Sequence, residues 1–585
     1  MWHIRAKQDS SFCLDDDELR SGDHDISIGY SMNAPCDLPD VDETDLQLVT
    51  SSSESEMPFS DNDEIWDFSD SESDENQEES SMDGNTLIRG ISYFLGLFHL
   101  TFRLSEKAMV ALLAFLRTVF AYIASLRPQL SLLNELACKL PRSLYGIRKY
   151  FKHKDEYIVY VVCPRCKKLY RLQDCITNVL GQQETKLCDH VEFPHHRQSN
   201  QRAPCNTPLM KRVKIGGKFK LIPRKTFVYR SIIKALQMMI DRGNFLEACE
   251  HWRKRKIELG SLSDVYDGKV WKDLNTVSGR PFLSLPGNLC FTLNIDWFNP
   301  FDEAPYSAGA IYLVVLNLPR SERYKIENTI LVGMIPGPNE PKNHVNTYLS
   351  PMVQDMCKLF EGHVFHNSRS LTRLSTVRAM LVCITCDLPA TRKVCGFSNF
   401  NACHGCSKCL KRFPVNQFGK KPDYSGYDYE NWPIRDLKFH SLKATESKNA
   451  NTKQAREEIA KEFGIKYSEL LLLPHFNIVR YHVIDPMHNI FLGLVKHTVK
   501  IWKDIGLLQD RHYPIIQEKV DNMNPPSKIG RIPRKIGSGF ASFTADEWKH
   551  WIMIYSLYAL LEILPEDHYC LWKLLVDGCL CANRL

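Results

Sequence analysis

Two groups of cysteines in the sequence have the spacing of zinc sites. The first group opens with a Cys-x-x-Cys pair directly after the predicted strand Tyr157–Val162 and continues with two single cysteines. Structural zinc needs four soft or borderline ligands in a tetrahedron, and two separated pairs can supply them. We predict a zinc-ribbon-like module at residues 157–225, with His190 as a substitute ligand. Its predicted ligands are Cys163, Cys166, Cys188 and Cys205.

The second group lies further along the chain, at residues 401–445. Cys406 and Cys409 form its Cys-x-x-Cys pair, and Cys403 and His440 are the weaker candidates. Paired cysteines in an intracellular chain favour metal binding over disulfides. We therefore predict a second Zn²⁺ site at this pair, with a loop of reduced cysteines as the alternative.

Two aspartates follow predicted strands that can lie side by side. The predicted element order is strand, strand, strand, helix, strand; Asp296 ends the first strand and Asp387 follows the fourth. Converging carboxylates repel each other unless a cation joins them, and hard oxygen ligands suit Mg²⁺ or Mn²⁺. Two such ions can activate a water or a 3′-hydroxyl for attack on a phosphodiester. A turn or helix cap at each aspartate is the alternative. The five elements are Asn288–Asp296, Ala308–Leu318, Thr329–Ile335, Val345–Phe360 and Ala379–Cys386.

Charge is divided unevenly along the chain. Residues 1–85 carry a net charge of −22, and the remainder carries +27. The Ser-, Asp- and Glu-rich segment 1–85 cannot bury enough apolar surface to fold, so we predict a disordered acidic arm. A basic body behind such an arm indicates a polyanionic partner. The candidate DNA-phosphate contacts, for which a solvated basic loop is the alternative, are Lys211, Arg212, Lys214, Lys218 and Lys220.

Several short motifs, in order, carry a resemblance to the CACTA-type (Tnp2-like) DNA transposases. The run Asn294–Phe301 resembles the family's D-G-F-N-P-F box, and Cys386–Ala390 resembles its D-x-P-A box. Each motif alone is a weak signal, whereas this many in the same order are specific. The similarity extends from about Tyr157 to Leu585. The other matching motifs are Asn317–Pro319, Ile335–Pro338, Tyr348–Met352, His404–Cys409, Asp423–Gly426 and Asp485–His488.

The resemblance implies an RNase H-like mixed-sheet core that performs DDE/D chemistry. The matching catalytic positions are Asp296 and Asp387, and the implied catalytic ion is Mg²⁺ or Mn²⁺. Trp297 stands where the family often has glycine. The implied reaction is cleavage and strand transfer of double-stranded DNA at terminal inverted repeats, in the nucleus, by a homo-oligomer. A nuclease outside transposition fits the ordered motifs less well.

The third carboxylate of a DDE/D site is not obvious in the sequence. In the family it lies in a C-terminal Phe-Glu box, which would follow the apolar helix pattern that ends at Leu585. Asp485 and Glu547 are the candidates within the chain. We therefore expect residues 1–585 not to perform strand transfer. The alternative function is that of a non-catalytic, DNA-binding transposon relic.

The organisation predicted from these patterns is an α/β protein with helical ends. The apolar stretches 87–103 and 108–126 are interrupted by arginines, so we predict buried helices and no membrane span. Residues 226–256 predict a basic amphipathic helix. The predicted regions are an acidic arm at 1–85, a helical segment at 86–150, the zinc module at 157–225, a basic helical linker at 226–280, the RNase H-like core at 288–400, the Cys/His insertion at 401–445 and a helical region at 450–585.

Overall fold

The computed structural model describes residues 84–583, apart from residues 103, 128, 130, 151–156, 180–181, 257–259, 302–303, 342–343, 367–373, 415–430, 526–534 and 541. The predicted acidic arm at 1–85 therefore lies outside the described residues, except for its last two positions. The chain divides into two compact units, Met1–Lys154 and Asp155–Leu585.

The first unit consists of helices in its described part. Its small core contains Leu95, Met109 and Leu113. Ser105 accepts a hydrogen bond from the backbone N–H of Ala108 and thereby caps the second helix, since a Ser at this position satisfies a free N–H of the first turn. The helices are α1 (Gly84–Phe102), α2 (Glu106–Leu126), α3 (Ser131–Lys139) and α4 (Leu144–Tyr150).

The expectation that the two apolar helices are buried is wrong for most of their surface. On α1, Phe94 and Leu100 are exposed, and on α2 only Met109, Leu113 and Ala124 are buried. Arg117, which interrupts the apolar pattern of α2, donates a hydrogen bond to the carbonyl of Ala137 at 2.9 Å. By length and composition, α2 is the one described helix that could cross a membrane.

The second unit begins with a run of strands and continues with helices. Its strands are β1 (Tyr157–Val162), β2 (Leu169–Arg171), β3 (Ile176–Val179), β4 (Gln182–Thr185), β5 (Met210–Ile215), β6 (Lys218–Pro223), β7 (Thr226–Arg230), β8 (Thr276–Val277), β9 (Arg280–Pro281), β10 (Leu289–Phe298), β11 (Ala308–Val315), β12 (Thr329–Ile335), β13 (His363–His366), β14 (Leu374–Val377) and β15 (Ala379–Ile384). Its α-helices are α5 (Ile232–Ile240), α6 (Phe245–Glu250), α7 (Lys269–Asp273), α8 (Arg320–Arg323), α9 (Val345–Glu361), α10 (Leu388–Cys395), α11 (Leu437–Asn449), α12 (Lys453–Phe463), α13 (Lys496–Asp504), α14 (His512–Asp521), α15 (Ala545–His550), α16 (Ser556–Leu560) and α17 (Glu566–Asn583).

Short 3₁₀ and π segments join these elements. The π-helical segment Met487–Val495 runs directly into α13, and a second one, Trp551–Tyr555, joins α15 to α16. The 3₁₀ turns are Leu172–Cys175, Ser199–Gln201, His251–Lys254, Val265–Asp267, Ile326–Asn328, Glu469–Leu472 and Ile536–Ser538.

A seven-stranded mixed sheet forms the centre of the second unit, in the order β15-β10-β11-β12-β7-β1-β2. β10 pairs antiparallel with β11, β11 pairs antiparallel with β12, and β10 pairs parallel with β15. The parallel pairing confirms that the first and fourth predicted core strands lie side by side. β10 and β11 are almost continuously apolar because residues on both faces are buried. Buried residues of α5 and α9 pack in the same core.

The single helix predicted at residues 226–256 is wrong at its start and is interrupted, although helical segments occupy most of residues 232–254. Thr226–Arg230 forms β7, which pairs with β1 on one side and with β12 on the other. Phe227 and Tyr229 alternate with less buried residues, the pattern of a strand. Gly243, at φ +87°, separates the short helices α5 and α6 that follow. The central sheet thus crosses the boundaries predicted between the zinc module, the linker and the core.

The C-terminal part of the second unit is helical, as the sequence predicts. A separate apolar core joins the segment Met487–Val495 to α13–α17. Its largest fully buried side chains are tryptophans, and Trp502 and Trp572 lie 4.9 Å apart between ring centroids. Large aromatic side chains bury much apolar area per residue, so this core can be stable although its helices are short.

Candidate active edge, cysteine cluster and basic hairpin

Asp296 and Asp387 lie at the same edge of the sheet. Asp296 is near the end of β10 and is exposed, and its Oδ1 accepts a hydrogen bond from the backbone N–H of Trp297 at 2.9 Å. Asp387 follows β15 and caps α10 by accepting from the backbone N–H of Ala390 at 2.6 Å. A carboxylate has about four lone-pair sites, so the cap leaves Asp387 acceptor capacity for a cation.

Direct contacts join the two strands next to these aspartates. Leu293 and Ile384 are partners in the parallel ladder, and each aspartate comes three residues after its member of that pair. The backbone N–H of Ile295 donates to Cys386 Sγ at 3.0 Å. Burial raises the pKa of the Cys386 thiol to about 12, and the charges of Asp387 and Asp296 both add to that rise. Both carboxylates are therefore close enough to Cys386 for their charges to raise the pKa of its thiol.

A third segment extends this edge beyond β15. His482 forms a parallel bridge with Ile384, and the backbone N–H of Val483 donates to the carbonyl of Ile384 at 3.0 Å. Asp485 comes three residues after His482. Leu293, Ile384 and His482 thus form one rung across three parallel segments, and an aspartate stands three residues beyond each of them.

The two candidates for the third carboxylate differ in their surroundings. Asp485 accepts from the backbone N–H of Met487 at 2.8 Å and pairs with the ring of His488, so the helix cap expected there is present. Glu547 and Thr544 form a reciprocal capping box at the start of α15. The cap accounts for Glu547 without any catalytic role. Of the two, Asp485 is the one that follows the rung.

Trp297 is accommodated by a glycine on the neighbouring strand. Trp297 and Gly309 are opposite one another in the β10–β11 ladder. A Cβ atom on residue 309 would lie 2.3 Å from the Trp297 ring, so any side chain there would displace the indole. Lys393 of α10 lies over the same ring, 5.6 Å from its centroid. The bulky residue beside Asp296 is therefore held in place without displacing the carboxylate.

The four cysteines of the first predicted site come together. Their Sγ atoms all lie within 4.8 Å of one another; Cys163 is 3.7 Å from Cys205, and Cys166 is 3.4 Å from Cys188. A tetrahedral ion with sulfur at about 2.3 Å separates its ligands by about 3.8 Å. The cluster could therefore hold a metal such as zinc. His190 is outside this group of four.

A tight turn and the base of a longer loop present these cysteines. The turn after β1 carries Cys163 and Cys166 and passes through Lys167 at φ +63°. Cys188 and Cys205 lie at the base of the longer loop, where the backbone N–H of Asn206 donates to the carbonyl of Cys188 at 2.9 Å. Burial raises the pKa of Cys205, but hydrogen bonds with Thr207 and with the neighbouring cysteines together outweigh it and lower that pKa to about 7. Such a thiol deprotonates readily, as a metal ligand must.

The second pair, Cys406 and Cys409, is joined by a hydrogen bond but lacks further ligands among the described residues. A hydrogen bond from Cys409, the largest influence, lowers the pKa of Cys406 to about 5. Within the described part of the chain, the first cluster is the only group of three or more ligand atoms this close together. His440 is buried, and neither ring nitrogen has a hydrogen-bond partner. Cys403 also lies outside any such group.

The loop between Cys406 and Cys409 is hydrogen-bonded to the third segment of the candidate active edge, the edge of the sheet that carries Asp296 and Asp387. We call it the active edge below. Lys408 Nζ donates to the carbonyls of Val479 and His482, at 2.9 and 2.7 Å. Ser407 Oγ is hydrogen-bonded to His482 Nε2 at 2.9 Å. Burial lowers the pKa of Lys408 to about 8. Sequence reasoning missed these contacts, and the only hint was a lysine inside a Cys-x-x-Cys pair.

Replacing Lys408 by Met is expected to lower the free energy of unfolding of the full chain by at least about 3 kcal/mol. The substitution leaves two carbonyls without their charged donor, and hydrogen bonds to charged groups contribute about 1.5–3 kcal/mol each. Urea denaturation monitored by tryptophan fluorescence measures the change. Lys438→Met, at an exposed lysine on α11, is the matched control. Equal stability of the two variants would contradict the role of Lys408.

The predicted DNA-contact residues lie on one exposed hairpin. β5 and β6 form a separate two-stranded ladder that turns at Gly216 and Gly217. The five basic residues are all exposed, and they are divided between the two faces of the hairpin. Phe219 projects beside them and is 72% exposed. The residues are Lys211, Arg212, Lys214, Lys218 and Lys220.

A comparison with known protein families finds a match to the central part of the second unit. The model of the transposase family tnp2 matches residues 260–462. This part of the chain is similar to the tnp2 transposases. The match confirms the resemblance to CACTA-type, Tnp2-like proteins, and it supports a transposase function and binding to DNA. No curated protein matches the chain.

The tnp2 match covers about a third of the chain. It includes both core aspartates, the strands that carry them, and the pair Cys406 and Cys409. The four-cysteine cluster and the basic hairpin precede the matched span, and Asp485 follows it. The roles of the cluster, the hairpin and Asp485 therefore rest on the geometry of those residues and not on the family match.

Proposed function

We propose that this protein is a DDE/D-type transposase that cleaves DNA at terminal inverted repeats and transfers the cut strands. The supporting observation is the rung formed by Leu293, Ile384 and His482, because an aspartate follows each of these three residues by three positions. The strand order, with β15 parallel beside β10 and two antiparallel strands beyond, supports an RNase H-like core. Action in the nucleus, as a homo-oligomer, is part of the same proposal and rests on the family resemblance.

The residues at the edge fit a hard divalent cation. Their donors are carboxylate oxygens, which Mg²⁺ and Mn²⁺ prefer, and no basic side chain forms an ion pair with Asp296 or Asp387 in the described part of the chain. When bound, the ions supply charge stabilisation for the attacking and leaving oxygens of the phosphodiester. Asp296 and Asp387 would hold them, and the strands fix where those carboxylates lie.

Asp485 is the described acid that we propose as the third carboxylate. Its two oxygens already meet the N–H of Met487 and the ring of His488, which fixes their orientation at the start of the following helix. A preoriented carboxylate loses little freedom when it joins a metal site, and two-metal chemistry depends on such positioning.

The test of the proposed function is cleavage of a supercoiled plasmid that carries the element's own ends, with Mn²⁺ supplied. Cleavage by residues 1–585 that is lost in Asp485→Asn and retained in Glu547→Gln would support the proposal. Cleavage that survives Asp296→Asn would overturn it. If the unaltered chain does not cleave, Asp485 does not complete the site, and the expectation of an incomplete, DNA-binding protein is favoured.

The basic hairpin is proposed as a phosphate contact. Replacing Lys211 and Lys218, which share one face of the hairpin, together by Ala is expected to lower the slope of log affinity against log salt for duplex DNA by about 1.8, because each neutralised phosphate contributes about 0.9. Titrations of labelled duplex at several salt concentrations measure the slope. Lys269→Ala with Lys272→Ala, at lysines of α7, is the control pair. An unchanged slope in the hairpin variant would contradict the proposal.

A further inference from the structure

A cavity in the C-terminal helical part combines a basic rim with an apolar, aromatic wall. It measures about 850 Å³ and lies between the segment leading into α13 and the start of α15. Lys496, Lys500 and Lys503 line one side, whereas Phe540 and Trp548 line the other. Among the described residues, no acidic side chain lines the cavity. Its surface is therefore suited to an anion that also carries an apolar, planar group.

The three lysines form a row along one helix face. They are four and three residues apart, a spacing that places side chains one above another on a helix. From Lys496 to Lys503 the row is about 10 Å long at about 1.5 Å per residue. Lys503 is 3.9 Å from Asp510, but no ion pair within the described residues involves Lys496 or Lys500. The charges of Lys496 and Lys500 are thus not neutralised by ion pairs with other described residues.

The aromatic wall contains a polar group without a partner. Phe540 and Trp548 are stacked, with centroids 5.5 Å apart, and Tyr513 contacts Phe540 edge to face. Trp548 is only 1% exposed, and its indole N–H has no hydrogen-bond partner. The flat, apolar faces of a nucleobase suit such an aromatic wall.

We propose that this cavity binds a single-stranded segment of DNA, with phosphates on Lys496 and Lys500 and one base against the aromatic wall. Basic grooves beside aromatic side chains are the common means of holding single strands. A base inside a duplex is stacked and paired, so only an unpaired base can enter. The π-helical segment Met487–Val495, which begins just after Asp485, runs directly into the helix that carries the lysines, so the site would hold a strand that leaves the active edge. The inference rests on the proposed function for its biological role.

The first test measures binding of a labelled oligothymidine to the full chain, without divalent metal, over a range of salt concentrations. The double variant Lys496→Ala with Lys500→Ala is expected to lower the salt slope by about 1.4, since each phosphate contact on a single strand contributes about 0.7. Lys438→Ala with Lys573→Ala, at exposed lysines outside the cavity, is the matched control. Equal slopes for both variants would overturn the proposal.

The second test fills the cavity without changing its charge. Leu494 lines the cavity and is 50% exposed, so Leu494→Trp adds bulk there, and Leu571→Trp is the control at another exposed leucine. Leu494→Trp is expected to weaken oligothymidine binding about tenfold and to leave duplex binding unchanged. An equal loss for the duplex would overturn the single-strand assignment. Equally strong competition by polyglutamate would instead favour an acidic protein partner.

These outcomes are separable from failure of the proposed function. Binding is measured without metal and with Asp296 intact, so it does not depend on catalysis. Normal single-strand binding together with cleavage that survives Asp296→Asn would reject the catalytic proposal alone. Normal cleavage dependence on Asp296 together with no effect of the cavity variants would reject the cavity proposal alone.

Discussion

Replacing Asp387 by Asn is expected to weaken binding of Mn²⁺ to the active edge at least about tenfold and to remove any metal-dependent nicking of plasmid DNA. Asn keeps the size of the side chain and can still accept from the backbone N–H of Ala390, so the cap on α10 is retained. What is lost is the negative charge that draws a divalent ion to two neighbouring carboxylates. Water-proton relaxation during a Mn²⁺ titration measures the affinity directly.

The same titration on Asp296→Asn is expected to give a similar loss, because both carboxylates would share the ion. Asp504→Asn, at an exposed aspartate on α13, should bind Mn²⁺ as the unaltered chain does. Full Mn²⁺ affinity in both edge variants would show that Asp296 and Asp387 do not form one metal site. Binding is informative even if the chain lacks a complete catalytic set, since two carboxylates suffice to attract an ion.

The central part of the fold could be predicted because its signals are local. The apolar runs of β10, β11 and β12, and the helical spacing of α9, give their boundaries to within a few residues. The parallel pairing of β10 with β15 follows from the element order, because a helix between two strands allows the second to return beside the first. Asp296 and Asp387 could therefore be assigned to one edge from the sequence alone.

Several features could not be predicted because they depend on contacts distant in sequence. β7 has the composition of a short, partly basic segment, and only its pairing with β1 and β12 makes it a central strand. The bridge between Ile384 and His482 joins residues almost a hundred positions apart and has no periodic pattern. Asp485 could be named as a candidate acid from the sequence, but its position three residues beyond the bridge with β15 could not.

The motif Asn317–Pro319 stabilises the fold near the edge that carries Asp296 and Asp387. Asn317 accepts from the backbone N–H of Cys290 at 2.7 Å and donates to the carbonyl of Asn288 at 3.0 Å. It therefore joins the end of β11 to the start of β10. Such a buried, fully bonded side chain is specific to its position, which explains a motif without a catalytic role. Motif matching alone does not separate this use from a chemical one.

Replacing Cys163 by Ser is expected to remove one zinc ion per chain and to unfold the region around β1 and β2. Serine cannot supply the thiolate that the cluster needs, and a structural zinc site contributes folding free energy directly. Because β1 also pairs with β7 in the central sheet, we expect the loss to reach beyond the two cysteine turns. Mass spectrometric metal analysis of the purified full chain measures the first effect, and hydrogen exchange of the β1 and β2 amides measures the second.

Cys175→Ser provides the matched control for this prediction. Cys175 is buried in the same apolar cluster, and its thiol bonds to the carbonyl of Arg171 rather than to the four-cysteine group. We expect this variant to retain the full zinc content, although loss of a buried thiol contact lowers its stability somewhat. If Cys163→Ser keeps its zinc, or if the unaltered chain holds none while β1 and β2 stay protected, the cluster is not a structural zinc site. In that case the close approach of the four sulfur atoms reflects packing alone, and the pairing of β1 with β7 would suffice to keep the region folded.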